Sequence, residues 1–138
     1  MKPTSDTARH GRGQFIYSML SEDHTALDGL FQELVTEARR GERSTMSAEW
    51  QRFEAQLSTH MDLEEREILP EFARYHPDEA RAILDEHTRI RSSLVEMGID
   101  LDLHCLRADR VEAFVALLRA HAQREEAVLY SWASHVAR

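Results

Sequence analysis

Apolar residues recur at intervals of three and four in four successive stretches of the chain, and no other feature of the sequence limits the fold as much. This is the spacing at which side chains share one face of an α-helix. Only five glycines and three prolines occur among 138 residues, which favours long helices over a turn-rich β fold. We therefore predict an all-α protein. The predicted helices run from Phe15 to about Arg40, from about Ser44 to about His76, from Pro77 to about Leu103, and from Asp109 to the end of the chain.

The second and fourth predicted helices resemble each other, as do the first and third. The offset is 61 residues between His60 and His121, and 63 residues between His24 and His87. One αα-hairpin used twice accounts for both offsets and predicts an up-down-up-down four-helix bundle. The aligned pairs that carry chemistry are Asp23/Glu86, His24/His87, His60/His121, Glu64/Glu125 and Glu65/Glu126.

The beginning of the chain and one proline modify this pattern. Residues 1–13 lack helical periodicity, so we predict a disordered N-terminal tail followed by the bundle over residues 14–138. Pro70 lies inside the second predicted helix, and proline removes a backbone donor and clashes with the preceding turn. That helix should therefore kink or loosen at Pro70 before it ends near His76.

The charge balance and the single cysteine narrow the class of protein. The chain carries 25 acidic and 17 basic residues, a formal net charge of −8, and shows no local basic patch. We therefore expect neither a nucleic acid nor an anionic membrane as a partner. No stretch of about 18 apolar residues occurs, so no membrane-spanning helix is expected. Since Cys105 cannot form an internal disulfide and no secretory leader is visible, we expect a cytoplasmic protein; no protein partner is indicated.

Each predicted helix carries a histidine on its apolar stripe, where a purely structural helix would keep an aliphatic residue. His60 is followed four residues later by Glu64, and His121 is followed in the same way by Glu125. Residues four apart lie about 40° apart around a helix and roughly 6 Å apart along it, so each pair faces the same way. Each pair can therefore reach one metal site.

The heights of the histidines along the predicted bundle agree with one another. At roughly 1.5 Å per residue, His24 and His60 lie about 24 and 20 Å from the turn that joins their helices. His87 and His121 match in the same way about the second turn. The histidines and the two glutamates can thus meet in one layer. The predicted metal ligands are His24, His60, Glu64, His87, His121 and Glu125.

The chemistry of this set favours a dinuclear metal site. Imidazoles and carboxylates together suit iron, manganese or zinc, and a carboxylate can bridge two ions. Two bridging glutamates and four terminal histidines leave positions open for a small molecule. A single such histidine is more often a hydrogen-bonded core residue than a ligand. Burying all six groups without a metal, however, would cost several kcal/mol of desolvation, which a small domain does not easily absorb.

Four segments of the chain resemble hemerythrin-like HHE cation-binding domains. The similarity covers nearly all of the chain after residue 14, and the order and spacing of the segments make it specific. It implies a non-haem di-iron centre with two iron ions, oxo or hydroxo bridges and carboxylate bridges. The segments are Ser21–His24, His60–Glu65, Asp85–His87 and His121–Glu126.

The sequence departs from the oxygen-carrying members of that family at two places. Those members have a further histidine one turn after the histidine of the third helix, where this chain has Arg91. They also have a differently spaced aspartate in the fourth helix, where this chain has Glu125. The chain is thus more similar to relatives implicated in iron or oxygen sensing, in handling peroxide or nitric oxide, and in iron-centre repair.

Two other functions stay open at this stage, and a third is disfavoured. Catalase-like decomposition of peroxide could use the same open site, although the sequence does not imply turnover or identify a catalytic residue. A zinc-loaded structural or interaction module would use the same ligands without redox chemistry. Ferritin-like carboxylate enzymes carry Glu-x-x-His pairs. None of the four predicted ligand histidines has a glutamate three residues before it, which argues against that class.

The remaining charged and aromatic residues receive secondary interpretations. Asp28 and Arg91 follow equivalent histidines by four residues, which suggests an ion pair that closes one end of the metal chamber. Asp28 could instead accept a hydrogen bond from a ligand imidazole. The alternative is that both residues are solvated surface charges. Glu65 and Glu126 are expected to be solvated. Tyr17 is expected in the core. The expected surface residues without a special role are His10, His76, His104, His135 and Cys105.

Overall fold

Helical backbone accounts for almost all of the chain that the structure describes. The computed structural model describes residues 5–41 and 43–136, with side chains over 16–41 and 45–135. No strand occurs within these ranges, and the predicted all-α class is confirmed. The elements are α1 (Ser5–Arg40), α2 (Arg43–Glu67), α3 (Leu69–Tyr75), α4 (Pro77–Asp102), α5 (Ala108–Arg124), a π-helical segment (Glu125–Tyr130) and α6 (Ser131–Val136).

The first helix begins earlier than the sequence pattern predicts. Its backbone is helical from Ser5, whereas the apolar periodicity placed its start at Phe15. Once a packed segment has nucleated a helix, each further residue adds a hydrogen bond at little cost, so the helix extends beyond its apolar stripe. The segment predicted as a tail is therefore helical from Ser5 onward. Residues 1–4 lie outside the described part, and the division of the chain at residue 14 stays a prediction.

The predicted break at Pro70 is confirmed. α2 ends at Glu67 and α3 begins at Leu69, with Pro70 in its first turn. The Ile68 N–H still donates to the Glu64 carbonyl at 3.1 Å, so the direction of the chain is kept across the break. His76, with φ −137° and ψ 66°, then ends α3, and Pro77 opens α4.

Two apolar clusters lie on either side of the histidine layer. The first, which we call the lower cluster, lies toward the connections from α1 to α2 and from α4 to α5, and the upper cluster lies toward α3 and α6. Along α4, Ile83 belongs to the upper cluster and Ile90 to the lower one, with His87 between them. Large members of the lower cluster are Phe31, Trp50, Phe53 and Phe114, and those of the upper cluster are Leu20, Phe72, Leu129 and Tyr130.

The long helices surround a common interior that holds both clusters. α1 packs against α2 and α5, α2 packs against α4, and α4 packs against α5. Each fully buried large apolar side chain contributes about 1.5–3 kcal/mol relative to an exposed one, so the clusters supply the main driving force for folding. None of the described helices is long and apolar enough to cross a membrane.

Candidate metal centre

The structure brings the six predicted ligands together between the two apolar clusters. They form two groups of four in which one donor atom from each residue lies within 4.8 Å of the others. Glu64 and Glu125 belong to both groups, whereas each group has its own pair of histidines. The first quartet is His24, His60, Glu64 and Glu125, and the second is Glu64, His87, His121 and Glu125.

The Nε2 atoms of all four histidines face the two shared glutamates. Two donor atoms bound to one ion at right angles, with bonds of about 2.1 Å, lie about 3 Å apart. The observed separations are close to that value. They are 3.1 Å from His24 and 3.2 Å from His121 to Glu125, 3.2 Å from His87 to each glutamate, and 3.5 Å from His60 to Glu64.

The Nδ1 atom on the other side of each ring faces a second carboxylate. A protonated Nδ1 would donate to that carboxylate, which fixes the ring and leaves Nε2 free to bind a metal. Asp23 and Glu86, which directly precede the histidines of α1 and α4, face the histidines of α2 and α5. Glu65 and Glu126, which directly follow the shared glutamates, face the histidines of α4 and α1. The distances are 3.3 Å for His24–Glu126, 3.3 Å for His60–Asp23, 2.8 Å for His87–Glu65 and 3.3 Å for His121–Glu86.

This outer layer of acids was missed in the sequence interpretation. Glu65 was expected to be solvated, yet its side chain is only 29% exposed and contacts both His87 and Arg91. Glu126 is 59% exposed, so the expectation holds for most of its surface, although it too contacts a predicted ligand. The internal repeat could have revealed these acids, because both of its copies have an acid directly before the histidine of α1 or α4 and another directly after the shared glutamate.

Charge in the centre is dominated by the two shared carboxylates, which are 0% and 1% exposed. Burial alone would raise the pKa of Glu125, but the surrounding histidines, His121 first among them, hold it well below its usual range. Burial alone would lower the pKa of His87, but the hydrogen bond of its ring to Glu125 and the nearby Glu64 carboxylate raise that pKa to about 10. The cluster therefore requires positive charge, which protons on the imidazoles supply when a metal ion does not.

Two buried donor atoms within the cluster fit a metal ion. Glu64 Oε1 and His121 Nε2 are buried and have no hydrogen-bond partner among the described residues. Such atoms lose several kcal/mol of hydration unless something in the interior compensates them. Imidazole nitrogens and carboxylate oxygens in this proportion suit iron, manganese or zinc. These residues can therefore hold metal cations.

Tyr130 also reaches the centre, although the sequence interpretation gave it no role. Its hydroxyl oxygen lies 2.9 Å from His24 Nε2, 3.1 Å from His60 Nε2 and 2.9 Å from Glu64 Oε2. Burial and the charges of Glu64 and Glu125 raise the pKa of this phenol far above its usual range. The repeat gave no signal for it, because the residue 61 positions earlier is Leu69.

The predicted pairing of Asp28 with Arg91 is wrong. Asp28 pairs instead with Arg119 of α5 at 2.9 Å, and Arg91 pairs with Asp62 at 2.8 Å and with Glu65 at 2.7 Å. Each charge takes a partner on a helix that packs against its own, and the two do not pair across the chamber. Arg91 bears on the centre indirectly, because it holds the acid that faces His87.

A small cavity adjoins the centre on the side of the lower cluster. Its volume is about 20 Å³, which is room for one water-sized molecule. Its lining combines ligands from both quartets with apolar side chains. The lining residues include His24, His60, His121, Leu27, Phe31, Leu57 and Leu118.

The remaining predicted surface residues agree with expectation wherever their side chains are described. His76, His104, His135 and Cys105 are exposed. The side chain of His10 lies outside the described part. Tyr17 is half-buried and packs edge-on against the ring of Tyr130, with ring centroids 6.1 Å apart.

The fold and the cluster together define an all-helical protein with a buried histidine and glutamate site able to hold metal cations. A comparison with protein-family models identifies the family: the hemerythrin HHE cation-binding domain matches residues 16–133, and the chain belongs to that family. All six predicted ligands lie within the matched range. No significant match was found among curated proteins or among solved structures.

Proposed function

We propose that this chain is a non-haem di-iron protein that engages oxygen, peroxide or nitric oxide, for sensing, scavenging or iron handling. One observation carries the proposal: two histidine pairs face the same two glutamates, so Glu64 and Glu125 can each bridge two ions. The proposal includes an up-down-up-down bundle of two repeated hairpins as the scaffold, and a cytoplasmic location. The six ligands proposed are His24, His60, Glu64, His87, His121 and Glu125.

The donor set supports two ions rather than one. Each quartet offers two imidazole nitrogens and two carboxylate oxygens, which is a complete set of four donors for one ion. Two ions would neutralise both buried carboxylates and satisfy Glu64 Oε1 and His121 Nε2. Four protein donors leave positions open on an ion that prefers six. A bound di-iron centre supplies redox chemistry toward a small molecule at those positions.

The protein contributes orientation, exclusion of water and selection by size. The acids on Nδ1 hold each imidazole with its Nε2 directed inward. The apolar clusters above and below the layer keep bulk water away from it. The cavity of about 20 Å³ has room for one water-sized molecule, which favours a small ligand over a larger substrate.

Metal analysis and optical spectroscopy test this proposal. Purified protein loaded with ferrous iron under anaerobic conditions should hold two irons per chain and change its spectrum on exposure to oxygen, peroxide or nitric oxide. His60→Ala and Glu125→Ala should each retain less iron, because each removes a proposed ligand. His135→Ala is the matched control, since His135 is exposed and bonds only within its own helix turn.

The outcomes separate the competing functions. Two irons retained in both ligand variants would refute the ligand assignment. A colourless protein that prefers zinc and shows no spectral response would favour the structural module instead. Steady evolution of oxygen from added peroxide by the iron-loaded protein would identify it as a catalase-like enzyme.

A further inference from the structure

The hydroxyl of Tyr130 lies beside the two histidines of one quartet. Its oxygen is within 3.1 Å of three atoms that belong to that quartet, the Nε2 atoms of His24 and His60 and Oε2 of Glu64. Among the described side chains, no hydroxyl comes within hydrogen-bond distance of His87 or His121. The two quartets share their glutamates but differ in this one group.

The distances place the phenol oxygen at a vertex of a coordination sphere. Neighbouring vertices of an octahedron with bonds of about 2.1 Å are about 3 Å apart, whereas the position of the ion would be about 2.1 Å from each donor. The Tyr130 oxygen lies 2.9–3.1 Å from its three neighbours. It therefore lies beside the donors, as a further ligand would, and not at the position of the ion itself.

The local backbone explains why Tyr130 reaches this place. Residues five apart in an α-helix lie about 140° apart around the axis, so Tyr130 would face away from Glu125. Glu125–Tyr130 is a π-helical segment, in which i→i+5 hydrogen bonds widen the turn by about one residue. The wider turn brings residues five apart onto nearly the same face. Tyr130 is consequently 3% exposed and directed into the centre beside Glu125.

We propose that Tyr130 is a direct ligand, through its phenolic oxygen, of the ion held by His24 and His60, which makes the two ions of the centre inequivalent. The inference rests on the proposed di-iron function. Binding forms one metal–oxygen bond and breaks the phenol O–H bond, and the phenol proton leaves to solvent together with the protons that metal binding displaces from the imidazoles. Iron is known to accept tyrosine oxygen as a ligand.

The inequivalence has a consequence for where a small molecule binds. Tyr130 belongs to the upper cluster and covers the histidine layer from that side. The cavity of about 20 Å³ lies on the opposite side, among lower-cluster residues such as Phe31 and Leu118, and it is lined by histidines of both quartets. A small molecule in this cavity could therefore reach either ion. With one ion carrying an additional protein ligand, the ion held by His87 and His121 would keep more open positions.

Visible absorption and resonance Raman spectra of the iron-loaded protein test the assignment. After anaerobic ferrous loading and exposure to air, the wild-type protein should show a phenolate-to-iron(III) charge-transfer band, with Raman modes that shift when ring-deuterated tyrosine is incorporated. Tyr130→Phe should lose the band and still bind two irons, because the six other ligands remain. Tyr17→Phe is the matched control and should keep the band, since Tyr17 packs against Tyr130 without contacting a ligand in the described structure.

Iron content measured in the same samples keeps the two proposals apart. Wild-type protein with two irons but no phenolate band or tyrosine Raman modes would overturn the role of Tyr130 and leave the di-iron function standing. A band unchanged in Tyr130→Phe would overturn it as well. Wild-type protein that binds no iron would overturn both proposals. The Raman measurement needs only the wild-type chain, so it decides the question even if Tyr130→Phe does not fold.

Discussion

The two quartets of the candidate metal centre, which we call its two halves, have the same kinds of donor but different surroundings. In the half of His87 and His121, Glu65 faces His87 at 2.8 Å and is held by Arg91 at 2.7 Å. In the half of His24 and His60, Glu126 faces His24 at 3.3 Å, is 59% exposed, and has no other cationic partner among the described residues. The two halves thus share their predicted ligands, whereas the residues that hold those ligands differ.

Access to the centre differs in the same sense. A surface depression of about 320 Å³ reaches His24, and its lining includes Asp28, Arg119 and Glu126. On the opposite side of the centre, His87 is fully buried. Tyr130 reinforces the contrast, because among the predicted ligand histidines its hydroxyl contacts His24 and His60 in the described structure, and its repeat counterpart is Leu69. The half of His24 and His60 is reached from the surface and contacts the Tyr130 phenol. In the half of His87 and His121, His87 is fully buried and Arg91 holds the acid that faces it.

The largest expected difference between the halves is in the stability of the metal-free protein. His87 contacts both shared glutamates and Glu65, so His87→Ala leaves buried carboxylates without a counter-charge and should lower the free energy of unfolding by about 3–5 kcal/mol. His24→Ala removes contacts to Glu125, to the exposed Glu126 and to the Tyr130 hydroxyl, but it leaves His87 and His121 beside the shared glutamates and should cost less, about 1–2 kcal/mol. Urea unfolding of chelator-treated protein at pH 6.5 measures both. Equal losses would show that the half of His87 and His121 is no more tightly held than the half of His24 and His60.

The cost of His87→Ala should also depend on pH. The pKa of His87 is raised from 6.5 to about 10 in the folded protein, so its proton stabilises the folded state. This contribution is fully present below pH 6.5 and is lost as the pH rises through 10. The penalty of His87→Ala should therefore shrink between pH 6.5 and pH 10 in metal-free protein. In iron-loaded protein the ring carries a metal instead of a proton, and wild-type stability should depend less on pH over this range.

The sequence predicted which donor side chains lie together better than it predicted what surrounds them. Periodicity and the i to i+4 spacing of His60 and Glu64 follow directly from helix geometry, so the six donors could be named before the structure was known. The contact of Tyr130 with the centre could not be predicted, because it depends on a π-helical turn that the side-chain pattern does not indicate. The partner of Arg91 depended on which helix lay alongside α4, a tertiary fact that spacing within one helix does not contain.

A smaller difference is expected in metal affinity when the outer acids are removed. Acids that hold ligand histidines typically contribute 10- to 100-fold in metal affinity. Glu65→Ala should reach this range, since Glu65 is 29% exposed and contacts His87 at 2.8 Å. Glu126→Ala should cost less than about tenfold, because its longer contact to His24 is exposed to water. Anaerobic Fe²⁺ titrations against a competing chelator give both values, and a larger loss for Glu126→Ala would reverse the proposed order of the halves.

The smallest expected effect belongs to Arg91, which acts on the centre only through Glu65. Its guanidinium is 37% exposed, and exposed ion pairs contribute about 0.2–1 kcal/mol, so Arg91→Gln should weaken Fe²⁺ binding by about two- to fivefold. Arg119→Gln is the matched control: Arg119 is 43% exposed and pairs with Asp28, which contacts no predicted ligand among the described side chains. Fe²⁺ affinity should be unchanged in that variant. Because salt screens exposed charges, the effect of Arg91→Gln should diminish at high ionic strength, whereas a loss independent of salt would mean that Arg91 acts by packing rather than by charge.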